Sequence, residues 1–169
     1  MAKLSQITGV AGGTIFYHFK SKEALFLEIL VEVKEEILSD IKQFFSKSKY
    51  ANGLEMIGGA ISHYLQLVVK MEDQFFLLHR YDPYNLALVN PVCRNHLEDI
   101  YDCLVNLFEK AILDGHKDGS IGKYHARKTA LIIFSMVDGI ARLNTFKLYD
   151  AGALYQELQA SCRRMLRPQ

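Results

Sequence analysis

The sequence has little of what several fold classes require. Only three of its 169 residues are proline, and the alternation of apolar and polar residues that is typical of strands is nearly absent. The cysteines, Cys93, Cys103 and Cys162, are odd in number, widely spaced and free of any CxxC pair. Such cysteines suit reduced thiols in a cytoplasmic protein better than a disulfide framework. The sequence therefore predicts an all-α protein without disulfides.

Charge of one sign and long apolar runs are also scarce. The net charge is +1, which by itself indicates no nucleic-acid partner. The longest nearly uncharged apolar run, TALIIFSMVDGIARL, contains Asp138 and Arg142 and is too short to span a bilayer. Residues 1–10 lack the apolar core of a signal peptide. We therefore expect a soluble, cytoplasmic protein with no membrane partner.

Helical periodicity dominates what is present. Apolar residues three and four apart, together with capping residues, predict the element boundaries. Ser21 is a suitable N-cap for the longest helix, and Glu23 lies in its first turn, where the helix dipole favours an acid. Gly58 and Gly59, inside a predicted helix, indicate close packing or a kink rather than a functional role. Helices are predicted over residues 1–8, 13–18, 22–46, 54–71, 72–81, 91–114, 123–149 and 151–166, with turns at YDPYN (81–85) and GHKDGSIG (115–122).

The last two predicted helices differ from the others. Residues 123–149 include a stretch that is apolar nearly all round, and residues 151–166 carry a narrow apolar stripe. Two such helices predict a homodimer in which each partner contributes both helices to a four-helix bundle. The alternative is a monomer in which the penultimate helix is simply central.

Positive charge is concentrated at the N-terminus, where two short helices flank a glycine. Residues 1–22 contain three lysines and one histidine but no acid, a pattern that can face phosphates. A helix, a turn containing Gly9 and a second helix form a helix-turn-helix, whose second helix enters the DNA major groove. Ile15 and Phe19, four residues apart, would hold this helix from behind. The front would comprise Thr14, Tyr17 and His18, with Lys20 and Lys22 on phosphates.

The segment TGVAGGTIFYHFKSKEALFLEIL (8–30) resembles the DNA-binding signature of the tetracycline-repressor (TetR/AcrR) family of bacterial transcription regulators. The C-terminal GHKDGSI and ALIIFSMVDGIARL resemble the family's dimerisation region less specifically. The resemblance implies that Gly13 and Thr14 approach bases or backbone, that Tyr17 and His18 meet bases and phosphate, and that Lys22 binds phosphate. It also implies a ligand-responsive regulator of operator DNA, most simply a repressor released by a small apolar or aromatic effector.

Three departures from the family pattern bear on DNA binding. Phe16 stands where the family usually has a tyrosine whose hydroxyl bonds a phosphate, a contact typically worth about 1.5–3 kcal/mol. Gly12 replaces a residue that is often polar or basic. The family also has a helix ahead of the segment that begins here at Met1. Three explanations are open: the chain is truncated, the helix lies upstream of this sequence, or the protein does not have it. We expect the 169-residue chain to bind DNA weakly.

The resemblance divides the chain into 1–21, the remainder of an incomplete helix-turn-helix; 22–46, a long connecting helix; and 47–169, an effector-binding and dimerisation domain. Effector pockets are mostly apolar with a few placed polar groups, although ordinary core is the alternative for every candidate. A helical ligand-binding or interaction module that does not bind DNA is the alternative function. Candidate effector contacts are His63, Tyr64, Phe75, Phe76, His79, Tyr101, Cys103, Phe108 and Asn144.

Catalytic and metal-binding patterns are not apparent. The six histidines are scattered, and none shares a helix face with a second ligand as in HExxH. No nucleophile elbow, phosphate-binding glycine loop or convergent acid pair occurs. We therefore expect neither an enzyme nor a bound cofactor or metal.

Overall fold

The computed structural model describes residues 6, 9, 11–47 and 49–168, without the side chains of residues 12, 15 and 16. In these ranges the chain forms eight helices and no strand, which confirms the predicted fold class. The helix predicted over residues 1–8 lies almost entirely outside the described residues. The helices are α1 (Gly12–His18), α2 (Lys22–Lys47), α3 (Gly53–Lys70), α4 (Glu72–Leu78), α5 (Tyr81–Val89), α6 (Pro91–Asp118), α7 (Ala126–Thr145) and α8 (Ala151–Met165).

One predicted turn was wrong, and a predicted loop was wrong in part. Residues 81–85 do not form a turn but begin α5, with Pro83 at its third position. A proline is tolerated there because the first N–H groups of a helix have no intrahelical acceptor. The loop predicted over 115–122 begins later, because α6 continues to Asp118 and ends at Gly119 in the left-handed conformation, with φ 78°.

The penultimate helix is shorter than the predicted 123–149. His125 precedes its first turn and accepts a hydrogen bond on its side chain from the Lys128 N–H. At the other end, Lys147 has a positive φ of 55°, which takes the chain out of the helical conformation. Residues 123–125 and 146–149 therefore belong to the connections on either side of α7.

The body is built around α6, which packs against α2, α3, α5 and α7. Its buried residues include Leu104, Leu107 and Phe108, so one long helix supplies the centre of the core. The close-packing interpretation of the glycine pair in α3 holds: a Cβ on Gly59 would lie 2.0 Å from the Tyr50 hydroxyl, and one on Gly58 would lie 3.1 Å from the Gln159 side chain.

The last two helices pack on one another and leave apolar side chains uncovered. One face of α7 is buried within the chain, through Ala130, Ile133, Phe134, Val137 and Ala141. Its other side exposes Leu131 and Ile132, and the connection to α8 exposes Phe146, Leu148 and Tyr149. In a single chain α7 is therefore buried on one face only, and the homodimer predicted from its apolar character stays a prediction.

Candidate DNA-binding surface and effector region

The short helix α1 is flanked by Gly9 and Ser21, whose structural roles were predicted from the sequence. Gly9 has φ 70°, the left-handed conformation that a glycine adopts without steric cost. After α1, the Ser21 hydroxyl accepts a 3.0 Å hydrogen bond from the Ala24 N–H and caps α2. The connection from α1 to α2 is therefore short and fixed at its second end.

The predicted front of α1 is exposed. Tyr17 is 84% exposed, and its ring meets that of His18 edge to face with centroids 5.4 Å apart. Gly13 and Thr14 are exposed as well, while Phe19 is partly buried. Lys20 and Lys22 follow on the same short stretch and are exposed. Polar and aromatic groups therefore face solvent on α1, as a helix that reads a groove requires, while the side chains of Ile15 and Phe16 are outside the described part.

The first turn of α2 is tied to the body. Glu23 accepts a 2.6 Å hydrogen bond from the side-chain amide of Asn90. Asn90 is also the N-cap of α6, where its Oδ1 accepts from the N–H groups of Val92 and Cys93. One side chain thus caps the central helix and holds the start of the connecting helix.

Four of the predicted effector contacts lie in the closed core. Tyr64, Phe75 and Phe108 are at most 1% exposed, and His79 is 1% exposed. Tyr64 donates a 2.5 Å hydrogen bond to Asp138, and His79 Nε2 lies 3.1 Å from the same carboxylate oxygen. The structure thus brings Tyr64 and His79 together on a partner that the sequence reasoning did not include among the candidates. Asp138 did carry a signal, as the one acid in an otherwise apolar run.

Burial and neighbouring groups raise the pKa values of two tyrosines in this region. Burial, followed by the nearby Asp138 carboxylate, raises the pKa of Tyr64 well above its ordinary value. Burial also raises the pKa of Tyr101, whose hydroxyl lies 2.5 Å from that of Tyr84. Both tyrosines therefore stay neutral at physiological pH and act as hydrogen-bonding groups.

The remaining candidates are spread over the body. His63 stacks on Phe44 at 4.4 Å between ring centroids. Phe76 is 42% exposed and packs against Phe146, whereas Cys103 is partly buried, and burial raises its pKa. Asn144 lies near the end of α7 and accepts a 3.2 Å hydrogen bond from the Ala151 N–H. The nine candidates therefore do not form one pocket.

A groove of about 580 Å³, which we call the α3–α8 groove, opens on the surface of the body. Its walls are the outer face of α3, the end of α7 and the start of α8. Of the predicted contacts it includes only Asn144. The sequence reasoning missed its other members, because three separate elements contribute them. The groove is lined by Ser62, Leu65, Gln66, Val68, Val69, Lys70, Ala141, Asn144, Asp150, Ala151, Gly152 and Tyr155.

The described residues include neither a metal-binding cluster nor a membrane-spanning helix, and their cysteines are not disulfide-bonded. They hold no group of three or more His, Cys, Asp and Glu side chains placed to bind a metal ion. None of their helices combines the length and apolar character needed to cross a membrane. The three cysteines are free thiols, as predicted.

Comparisons with known proteins agree with this geometry. Residues 1–29 match the family model of bacterial regulatory proteins of the tetR family. The HTH-type transcriptional repressor DhaR of Mycobacterium sp. (strain GP1) is 25% identical over 112 residues, which are 66% of this chain and 54% of DhaR. The chain thus spans about half the length of this relative.

Solved structures share the fold over nearly the whole chain. A bacterial regulatory protein of the tetR family from Rhodococcus RHA1 superposes with a TM-score of 0.75 at 17% identity, covering 99% of this chain and 86% of that one. The regulator FadR of Bacillus subtilis, solved in complex with stearoyl-CoA, gives 0.73 at 20% identity, covering 95% and 85%. The N-terminal segment is thus similar to the tetR family of bacterial regulatory proteins over residues 1–29, and the fold of the whole chain is the one seen in solved tetR-family structures.

Proposed function

We propose that this chain is a ligand-responsive, DNA-binding transcription regulator that acts in the cytoplasm as a repressor and leaves its operator when a small apolar or aromatic effector binds. The observation that carries the proposal is α1: a short helix within the family signature that presents Tyr17 and His18 to solvent beside Lys20 and Lys22. The two lysines would contact phosphates, which set position and salt dependence, and α1 would contact base edges.

A homodimer completes the proposal. The uncovered apolar residues Leu131 and Ile132 on α7, and Leu154 on α8, would meet their counterparts in a second copy. Two recognition helices would then reach successive major grooves about 34 Å apart. The proposed partners are therefore operator DNA, an effector and a second copy of the chain.

Release from DNA would be a shift between two populated states. An effector that binds the body better in one state favours that state by its difference in affinity. Because the Asn90–Glu23 hydrogen bond joins the body to the first turn of α2, a change in the body would swing α2 and alter the separation of the recognition helices. DNA affinity and effector affinity would then be reciprocally linked.

The test is selection of genomic DNA fragments by the purified protein, followed by fluorescence anisotropy on the enriched site at two salt concentrations. Tyr17→Ala is expected to weaken specific binding about 5–150-fold, since a base contact is worth about 1–3 kcal/mol. Lys22→Gln is expected to reduce the salt dependence by about one phosphate contact. Tyr81→Ala, at a body tyrosine that is 74% exposed, is the matched control. No enrichment of any fragment, or equal losses in Y17A and Y81A, would favour the module that does not bind DNA.

A further inference from the structure

We propose that the α3–α8 groove is the effector site and that its ligand is a neutral, largely apolar or aromatic small molecule. The inference rests on the proposed function for its regulatory consequence, but the site itself is argued from the groove alone. Its volume of about 580 Å³ lies within the range of small-molecule pockets, about 300–1,000 Å³. Its lining surface is mostly apolar, and Leu65, Val68, Val69 and Ala141 contribute to it.

The charged groups of the groove already have partners within the chain. Only Lys70 and Asp150 among its lining residues carry a charge. The Lys70 ammonium lies 2.7 Å from Asp40, and Asp150 accepts a 2.8 Å hydrogen bond from the Gly152 N–H as the N-cap of α8. Both charges of the groove are therefore already paired, so its apolar surface favours a neutral ligand over a charged one.

The hydroxyls of Ser62 and Tyr155 are engaged as well. The Ser62 hydroxyl donates to the Gly58 carbonyl at 3.0 Å, and Tyr155 OH lies 2.6 Å from Ser62 Oγ. Since the serine hydrogen is used, the tyrosine is the donor of that pair. Gln159 in turn donates to the Tyr155 oxygen at 3.0 Å. These groups do not need a hydrogen bond from a ligand, so the groove selects by apolar contact and shape.

The groove is also connected to the helix that carries α1. Lys70, at its rim, binds Asp40 on α2, and His63 Nε2 lies 2.8 Å from the other oxygen of that carboxylate. Lys70 and His63 both belong to α3, which forms one wall. A molecule wedged between α3 and α8 therefore acts on the wall that holds α2 through Asp40.

Two dyes with the same ring system test the site directly. N-phenyl-1-naphthylamine is neutral, and 8-anilinonaphthalene-1-sulfonate is its sulfonated counterpart. In fluorescence titrations of the 169-residue protein, we expect saturable binding of the neutral dye and at least 10-fold weaker binding of the sulfonate. Equal or tighter binding of the sulfonate would overturn the assignment of a neutral ligand.

Two substitutions to tryptophan on one helix test the location. Ala151 lines the groove, whereas Ala153, two residues on, is exposed and does not line it. A151W is expected to weaken binding of the neutral dye at least 10-fold. A153W is expected to bind it within 2-fold of the original chain. If A151W lowers the thermal midpoint by more than a few degrees, Gln66→Trp on the opposite, exposed wall replaces it. Unchanged dye affinity in a folded A151W or Q66W would place the site elsewhere.

A third arm separates the site from the regulatory role. Asp40→Asn, on α2 and outside the groove, weakens the ion pair with Lys70, so we expect it to bind the dye within 3-fold of the original chain while the dye no longer releases it from DNA. Suppose that the dye binds as expected and yet leaves the DNA occupancy of the original chain unchanged. This result would overturn the regulatory role of the groove but not its assignment as a binding site. Equal release of D40N and the original chain overturns the connection through Asp40.

Discussion

The side-chain amide of Asn90 donates to Glu23 Oε1 at 2.6 Å, so the residue that starts the central helix α6 also holds the first turn of α2. The two residues are distant in sequence, and each has a separate local role: Asn90 caps α6, and Glu23 sits where the dipole of α2 favours an acid. The bond is the direct side-chain link between the start of α2 and the start of α6.

Substitution of Asn90 should separate these two roles. Asn90→Ala removes the cap and the bond, and the cap alone is worth about 1 kcal/mol. For a domain of this size that corresponds to a fall in Tm of about 2–4 °C. Asn90→Asp keeps a capping oxygen but places a carboxylate against Glu23. Thermal unfolding of N90D, E23Q and the double variant measures the coupling, and E23Q should rescue N90D. Strict additivity would mean that the two side chains do not interact.

The hydroxyl of Tyr64 should contribute measurably to stability. Tyr64→Phe leaves the partly buried Asp138 with one donor fewer, at an expected cost of about 1–3 kcal/mol in urea unfolding at pH 7. Tyr17→Phe removes an exposed tyrosine hydroxyl and is the control, with an expected change below about 0.5 kcal/mol. Equal effects of Y64F and Y17F would contradict the role of the buried bond.

The same residue predicts a loss of stability in alkali. The folded chain holds the pKa of Tyr64 above its unfolded value of 10.0. Above pH 10 the unfolded chain loses this proton while the folded chain retains it, so the unfolded state binds fewer protons and stability falls as pH rises. Urea midpoints between pH 9 and 11 should fall less steeply in Y64F than in the original chain. A slope unchanged by Y64F would show that Tyr64 titrates normally.

His63 predicts a loss of stability in mild acid. Burial, as the largest cause, lowers its pKa below 6.5 despite the nearby Asp40 carboxylate, which acts in the opposite direction. Below pH 6.5 the unfolded chain takes up a proton that the folded chain resists, so this contribution is present above pH 6.5 and is lost as pH falls toward the folded pKa. Unfolding free energies between pH 7.5 and 5 should therefore fall less steeply in His63→Gln. A steeper fall in H63Q would mean that Asp40 outweighs burial.

Two glycines should respond in opposite directions to the same substitution. A Cβ on Gly53 would lie 2.1 Å from the backbone nitrogen of Gly115, where α3 crosses α6, so Gly53→Ala should cost at least about 1–3 kcal/mol. A Cβ on Gly139, inside α7, meets nothing within 4 Å. Gly139→Ala should therefore stabilise the chain by about 0.5–1 kcal/mol. Thermal unfolding at a concentration where sedimentation shows monomers measures both, and destabilisation by G139A would contradict the open surroundings.

Element boundaries were predictable where periodicity and caps agreed. The helix predicted over 22–46 is found at Lys22–Lys47, because its apolar spacing is continuous and Ser21 caps it. At α5 the prediction of a turn was wrong because these two signals did not agree. Asp82 and Pro83 are typical turn residues, and Pro83 is the one buried residue of this helix, so no apolar stripe indicated a helix there.

The site was less predictable because its residues meet across helices. Tyr64 was a candidate effector contact with ordinary core as the alternative, and the sequence could not indicate that Asp138 on α7 is its partner. The same limit applies to the α3–α8 groove, where Ser62 and Tyr155 meet from different helices. The exposed residues of α1 were predictable, because a local motif sets their spacing. The nine effector candidates and the division into three segments stay predictions.

The length of α2 has a mechanical consequence. Its 26 residues span about 39 Å, and its buried residues, from Leu30 to Phe44, lie in the part furthest from α1. The helix thus packs against the body along its distal two thirds, and none of its buried residues lies in its first two turns. A tilt of about 5° about the far end would displace its first residue by about 3 Å, given that length. A sub-ångström adjustment near Asp40 would therefore become a larger displacement at the first residue of α2, next to the helix that carries Tyr17 and His18.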